Sequence, residues 1–125
     1  MTTPEEIDRV FSPIADAVAE FARRQSFRLE KCPRDNPGWE LTRAHALGGT
    51  VTLLLLYEPS LGLGVGSVWQ FPCPDMSLLY SHFREIRPCP LAADEVTTRL
   101  TTEVEEISQV RFGYWTHMTP LQAAP

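Results

Sequence analysis

Residues 61–66 alternate strictly between an apolar side chain and glycine, in the order Leu-Gly-Leu-Gly-Val-Gly. Successive side chains of a β-strand point to opposite faces, so this pattern predicts a strand with one apolar and one bare face. The apolar face carries Leu61, Leu63 and Val65, and the bare face carries Gly62, Gly64 and Gly66. Glycine inside a strand costs about 0.5–1 kcal/mol relative to alanine. The pattern therefore indicates a close neighbour, which could be a helix, a second copy of the sheet or a bound partner.

Size and charge limit the class of protein. A chain of 125 residues is expected to form a single α+β domain over residues 1–119, with a frayed tail at 120–125. The net charge of −5 argues against nucleic acid as a partner. The N-terminus shows no secretory leader, and the longest apolar run, at 51–57, is too short to cross a membrane. With its three cysteines expected to be reduced, the chain is predicted to be cytoplasmic.

Helical periodicity occurs in three places. Residues 4–24 are amphipathic and begin with Thr3 as an N-cap followed by a proline, whereas Pro13 predicts either a kink or two short helices. Residues 91–112 form a second pattern, with an acidic outer face that includes Glu103 and Glu106 and with Gly113 as its cap. The segment 75–87 fits a helix better than a strand. Its apolar residues are Met76, Leu79, Tyr80, Phe83 and Ile86.

Four strands are predicted between the helices, at 27–30, 39–47, 50–57 and 61–71. The connections are short, and Gly48-Gly49 suits a two-residue hairpin turn. Short connections favour antiparallel neighbours in chain order. The predicted fold is therefore α+β, a four-stranded antiparallel meander flanked by an N-terminal helix and C-terminal helices.

The sheet is predicted to have two unlike faces. The bulky face collects Trp39, Leu41, Leu53, Leu55, Leu63, Val65 and Trp69. The shallow face collects Ala44, Ala46, Thr52, Leu54, Leu56 and the alternating glycines. Either helices cover both faces, with the glycines permitting a close approach, or the shallow face receives a partner chain or an identical subunit.

Few residues suggest a catalytic or cofactor-binding role. Each cysteine precedes a proline, at Cys32, Cys73 and Cys89, and these pairs resemble the Cys-Pro element of heme-responsive regulatory proteins. That resemblance implies heme as an alternative, and zinc is another. Packing of a small apolar residue just before an element end is the favoured explanation of the pairs, so no cofactor is expected. Arg43 and His45 alternate in step with Trp39 and Leu41, so the pattern places two polar side chains on the face expected to be buried. This conflict marks the position where an enzyme site would lie.

The expected function is that of a non-enzymatic protein-binding module, with a protein partner or a homodimer on its surface. The order helix, strands, helix, together with small size, low pI and an acidic last helix, resembles bacterial secretion-chaperone-type adaptors. The usual order of those proteins places a helix between the strands, unlike this chain. Toxin-neutralising immunity proteins fit as well, because an acidic surface could mask a basic toxin cleft. The alternatives are a small-ligand- or heme-binding domain and an enzyme. The predicted partner-binding residues are Gly62, Gly64, Gly66, Leu54, Leu56, Glu103 and Glu106.

Overall fold

Two short helices open the chain. The computed structural model describes residues 3–33, 37–73 and 78–109, and its first helices are α1 (Pro4–Phe11) and α2 (Ala15–Arg24). The Thr3 side chain accepts a hydrogen bond from the Glu6 N–H at 3.2 Å, which confirms the predicted N-cap. The break between the helices falls around Pro13, so the proline separates two helices rather than bending one.

A single antiparallel sheet follows, and its strands pair in chain order. The strands are β1 (Arg28–Pro33), β2 (Pro37–Ala44), β3 (Thr50–Glu58), β4 (Gly62–Cys73) and β5 (Leu78–Pro88). Helix α3 (Ala93–Gln109) closes the described part of the chain. The α+β class and the antiparallel sheet are confirmed, but the sheet has five strands where four were predicted. The predicted helix end at Phe112, the Gly113 cap and the tail at 120–125 lie outside the described residues.

The predicted helix at 75–87 is wrong over 78–87, because residues 78–88 form β5, and residues 75–77 lie outside the described part of the chain. The cause is a β-bulge. Val65 pairs with Arg87, whereas Ser67 pairs with Arg84, so β5 holds one residue more than β4 over this stretch. The extra residue places Phe83 and Ile86 on the same face although they are three apart. The bulge therefore produces the three-residue spacing of Phe83 and Ile86, which is one part of the pattern that resembled a helix.

The turn between β2 and β3 is longer than predicted. Strand β2 ends at Ala44, and residues 45–49 form a turn in which the His45 N–H donates to the Gly49 carbonyl at 3.0 Å. Gly48 and Gly49 both have positive φ, at 106° and 76°. The indole Nε1 of Trp69 donates to the Gly48 carbonyl at 2.7 Å, which ties the turn to β4.

All three described helices pack on one side of the sheet. Their buried side chains form one cluster with the predicted bulky face. The helical members are Ile7, Phe11, Val18, Phe21, Ala22, Val96, Leu100 and Ile107, and the predicted strand members are Trp39, Leu41, Leu53, Leu55, Leu63, Val65 and Trp69. The bulky-face prediction is thus confirmed. Leu61, which was predicted to share the apolar face of the glycine strand with Leu63 and Val65, lies instead in the β3–β4 turn and is 81% exposed. The sequence favoured helices on both faces, but in the described ranges the buried residues of all three helices belong to the one cluster on the bulky side.

Candidate partner-binding surface

The second side of the sheet, the outer face, is formed mainly by the central strands and β5. Its residues are Thr52, Leu54, Leu56, Gly64, Gly66, Val68, Phe83 and Ile86, as their pairing register shows. Thr52 and Val68 are buried in its centre, and Val68 is buried without belonging to the core cluster. Leu54 and Leu56 are half-buried. The outer face therefore has an apolar centre of its own.

The close neighbour that the glycines require is Ile86 of the adjacent strand. A Cβ atom at Gly64 would lie 2.7 Å from Ile86 Cγ2. A Cβ atom at Gly66 would lie 2.7 Å from Ile86 Cγ1 and 2.9 Å from Ile86 Cα. The bulge turns Ile86 onto the bare strip of β4, so the glycines serve first to seat this side chain.

Exposed apolar side chains concentrate near β5 and the β3–β4 turn. Leu61 is 81% exposed, Phe83 66% and Ile86 41%. Between the turn and β5 lies a groove of about 520 Å³. Its lining includes Leu56, Tyr57, Leu61, Gly64, Ile86 and Pro88. Sequence reasoning missed Phe83 and Ile86 as surface residues because it placed them on a helix. The alternating glycines were the signal that could have found Ile86, because a strand face without side chains indicates that a neighbouring element fills it.

The predicted partner-binding residues are divided between two sides of the molecule. Leu54, Leu56, Gly64 and Gly66 lie on the outer face. Gly62 starts β4 with φ of 86° and lines the groove. Glu106 is exposed on α3, in the helical layer.

The placement of Glu103 on the outer side of α3 is wrong, because its side chain is only 4% exposed. Glu103 Oε1 accepts hydrogen bonds from Ser67 Oγ at 2.6 Å and from Arg84 Nε at 3.0 Å. Glu103 Oε2 accepts from Arg84 Nη2 at 3.3 Å. The carboxylate thus joins α3 to β4 and β5 inside the molecule. An acidic residue on a buried helix stripe requires such partners.

His45 and Arg43 make structural contacts at the end of the sheet. The His45 ring stacks on Trp69 with the centroids 3.8 Å apart. Nδ1 of His45 accepts from the Leu47 N–H at 2.9 Å, so Nε2 carries the proton and donates to the Ile107 carbonyl at 3.2 Å. Arg43 donates to the Gln25 carbonyl at 2.6 Å and lies over the Phe27 ring. These contacts explain the parity conflict, since both side chains fill the space beside α2 and α3.

A small cleft of about 330 Å³ borders these two residues. Because both ring nitrogens of His45 bind backbone groups, the arrangement favours a packing role over proton transfer. An enzyme site at Arg43 and His45 stays a prediction.

Among the cysteines, Cys89 is the one whose side chain is described. It is buried at 6% exposure, and its thiol is free. Burial raises the pKa of the Cys89 thiol, an effect that Arg99 partly offsets. Cys89 belongs to the core cluster, as expected for a small apolar residue packed at the end of an element. The side chains of Cys32 and Cys73 lie outside the described part of the structure. Within that part, no group of His, Cys, Asp and Glu side chains is arranged to hold a metal ion.

The contacts of Ile86 predict unequal effects for two similar substitutions. Gly66→Ala is expected to lower the free energy of unfolding by about 2–3 kcal/mol, because its Cβ would also lie 3.0 Å from the Arg84 carbonyl oxygen and the β5 backbone would have to move. Gly64→Ala should cost less, about 1–2 kcal/mol, because its Cβ would meet only a side-chain atom, the Cγ2 methyl of Ile86, and a rotation of that side chain about χ1 could relieve the contact. Urea denaturation followed by circular dichroism measures both. Equal losses would contradict the closer approach of the β5 backbone to Gly66 than to Gly64.

Comparison of the chain with protein-family models, with curated proteins and with solved structures found no match. Over the described residues, the helices are too short or too polar to cross a lipid bilayer. The class that the fold and the surface define is therefore an α+β protein with its helices on one side of an antiparallel sheet and an apolar surface on the other.

Proposed function

We propose that this protein is a non-enzymatic protein-binding module whose outer face holds an apolar segment of a partner protein. The observation that carries the proposal is the one-sided packing of the helices. Helices α1, α2 and α3 share one core with the bulky face, while the outer face retains exposed Phe83, Ile86 and the groove beside Leu56. Contiguous apolar surface of this kind, bounded by polar residues, marks interaction sites in soluble proteins.

The shape of the outer face suits an extended apolar segment. The groove runs along the glycine strip between Leu56 and Ile86, and Leu61 stands at its end. Beyond β3, the face becomes polar, with Glu40 and Thr42 on β2 and an Arg28–Glu30 ion pair on β1. Affinity at such surfaces comes mainly from a few apolar anchors at the centre, with a polar rim around them.

This arrangement favours a secretion-chaperone-type adaptor over an immunity protein. The acidic surface that an immunity protein would use consists of exposed α3 residues such as Glu105 and Glu106, which belong to the helical layer. The apolar groove lies on the other side of the sheet. A cytoplasmic location is part of the proposal.

Selection from a random peptide library on the purified protein tests the proposal. We expect the selected peptides to be rich in apolar residues. Leu56→Glu should weaken their binding at least tenfold, about 1.4 kcal/mol, because it places a charge in the groove. The control variant Glu105→Gln/Glu106→Gln changes only the helical layer and should leave the dissociation constant within about twofold.

Two results would contradict the proposal. Selected peptides that bind Leu56→Glu as tightly as the unchanged protein would show that the groove is not the site. Basic peptides that lose affinity in Glu105→Gln/Glu106→Gln would favour the immunity protein instead. Circular dichroism of each variant ensures that a loss of binding is not a loss of fold.

A further inference from the structure

The groove beside Leu56 has a charged side chain at one end. Two charged residues, Glu58 and Arg87, belong to its lining. Arg87 pairs with Val65, a core residue, so the strand register directs the Arg87 side chain toward the helical layer. The carbonyl oxygen of Arg87 lies near the glycine strip, 3.8 Å from the Cβ position at Gly64. The charge that faces the groove is therefore negative and belongs to Glu58.

Glu58 continues the outward-facing row of β3. Leu54, Leu56 and Glu58 follow one another at every second position, and each of them pairs with a glycine of β4. Such positions are about 6.8 Å apart along a strand. Ile86 occupies the strip beside the two leucines, whereas no heavy atom lies within 4 Å of the Cβ position at Gly62, the partner of Glu58. The space next to the carboxylate is therefore open.

The Glu58 carboxylate is only partly engaged within the protein. Its Oε2 accepts hydrogen bonds from the Ser60 N–H at 3.0 Å and from the Ser60 hydroxyl. Its Oε1 accepts none from the described residues, and no ion pair among those residues includes Glu58. A carboxylate has about four lone-pair sites. Glu58 therefore keeps acceptor capacity for a group from outside the described structure.

The surroundings of Glu58 suit a long cationic side chain. Leu61, which is 81% exposed, and Tyr57 line the same end of the groove. Lysine and arginine lay their apolar stems along such surface and keep the charged head at a polar group. An apolar side chain over Glu58 would instead remove the carboxylate from water without giving it a partner, which costs free energy. A partner that covers this end of the groove is therefore expected to place a cation there.

We propose that the partner segment carries a lysine or arginine two positions from its last apolar anchor, and that this cation pairs with Glu58. The inference rests on the proposed function and adds the chemistry of the bound segment. An extended segment repeats its side-chain direction at every second residue, as Leu56 and Glu58 do on β3. The order apolar, any residue, basic therefore matches these two positions. A basic segment also complements the net charge of −5.

A double-mutant cycle between protein and peptide tests the pairing. The probe is the tightest peptide from the library selection, compared with a variant in which glutamine replaces its basic residue. We expect the replacement to weaken binding to the unchanged protein about three- to fivefold, the range of partly exposed ion pairs. With Glu58→Gln, the two peptides should bind equally. This variant keeps a side-chain oxygen that can accept from the Ser60 N–H, so the turn is preserved.

Reversal of the charge gives a second readout. Glu58→Lys should bind the basic peptide at least fivefold more weakly than the unchanged protein does, and it should prefer a peptide with glutamate at that position. Glu105→Lys makes the same charge change in the helical layer and should leave the preference for the basic peptide unchanged. Added salt should weaken the basic peptide on the unchanged protein and have little effect on Glu58→Gln.

The failure of the pairing and the failure of the proposed function give different results. A peptide that loses affinity in Leu56→Glu but binds Glu58→Gln and the unchanged protein equally would contradict the pairing alone. Selected peptides without an excess of lysine or arginine at the stated spacing would do the same. A peptide that Leu56→Glu leaves unaffected would contradict the proposed function and the pairing with it.

Discussion

Gly49→Ala is expected to destabilise this protein by about 4 kcal/mol or more, a larger loss than the same substitution at Gly48, Gly62, Gly64 or Gly66. Gly49 has φ of 76°, a region that costs other residues about 1–3 kcal/mol. Its Cβ would also lie 2.2 Å from the Gln70 carbonyl oxygen and 2.8 Å from Phe71 Cα. Both are backbone atoms of β4, so the hairpin would have to separate from that strand. Because the free energy of unfolding of a native protein is about 5–15 kcal/mol, a loss of this size is severe.

Gly48→Ala is the matched control for Gly49→Ala. Gly48 also has positive φ, at 106°, but no heavy atom lies within 4 Å of its Cβ position. Its substitution should therefore cost only the backbone strain, about 1–3 kcal/mol. Urea denaturation monitored by tryptophan fluorescence compares the two variants. Losses of similar size would show that the turn relaxes freely and would refute the close approach of Gly49 to β4.

Glu103→Ala is expected to lower the free energy of unfolding by about 3 kcal/mol. The substitution removes the acceptor of Ser67, which is fully buried, and of Arg84, whose side chain is 28% exposed. Breaking a buried ion pair costs about 3–5 kcal/mol because a charge is left without its partner. The partial exposure of Arg84 to water places the expected value at the lower end. Urea midpoints measure the loss.

Glu106→Ala is the control on the same helix, and it should change stability by less than about 0.5 kcal/mol because Glu106 is exposed. Replacing all three partners together, as Ser67→Ala/Arg84→Met/Glu103→Leu, should recover most of the loss, since no charge would remain unpaired. If Glu103→Ala were no more destabilising than Glu106→Ala, the buried cluster would contribute nothing to stability.

The sequence correctly predicted those elements that depend only on residues close to one another in the chain. The Thr3 cap depends on residues within one helical turn, and it is where the sequence places it. The alternation of Leu63, Gly64, Val65 and Gly66 depends on the period of a strand, and the strand is present. The division of the sheet into a bulky and a shallow face followed from the same period.

The errors arose where a distant partner decides the outcome. Strand β5 resembled a helix because its bulge is formed only against Gly66 of β4. Glu103 resembled a surface residue because Ser67 and Arg84, which stabilise its burial, lie on two other elements. Arg43 and His45 appeared misplaced because Phe27, Trp69 and Ile107 are remote in sequence.

The sequence alone determined the α+β class, the capped start of the first helix, the glycine strand and the bulky face of the sheet, because periodicity and caps act over a few residues. Only the tertiary structure decided which side of the sheet the helices cover and what lies against the glycines. Those outcomes depend on strand register and on contacts between remote residues, above all the approach of Ile86 to Gly64 and Gly66. A single extra residue in β5 changes which side chains face outward, and no local pattern records it.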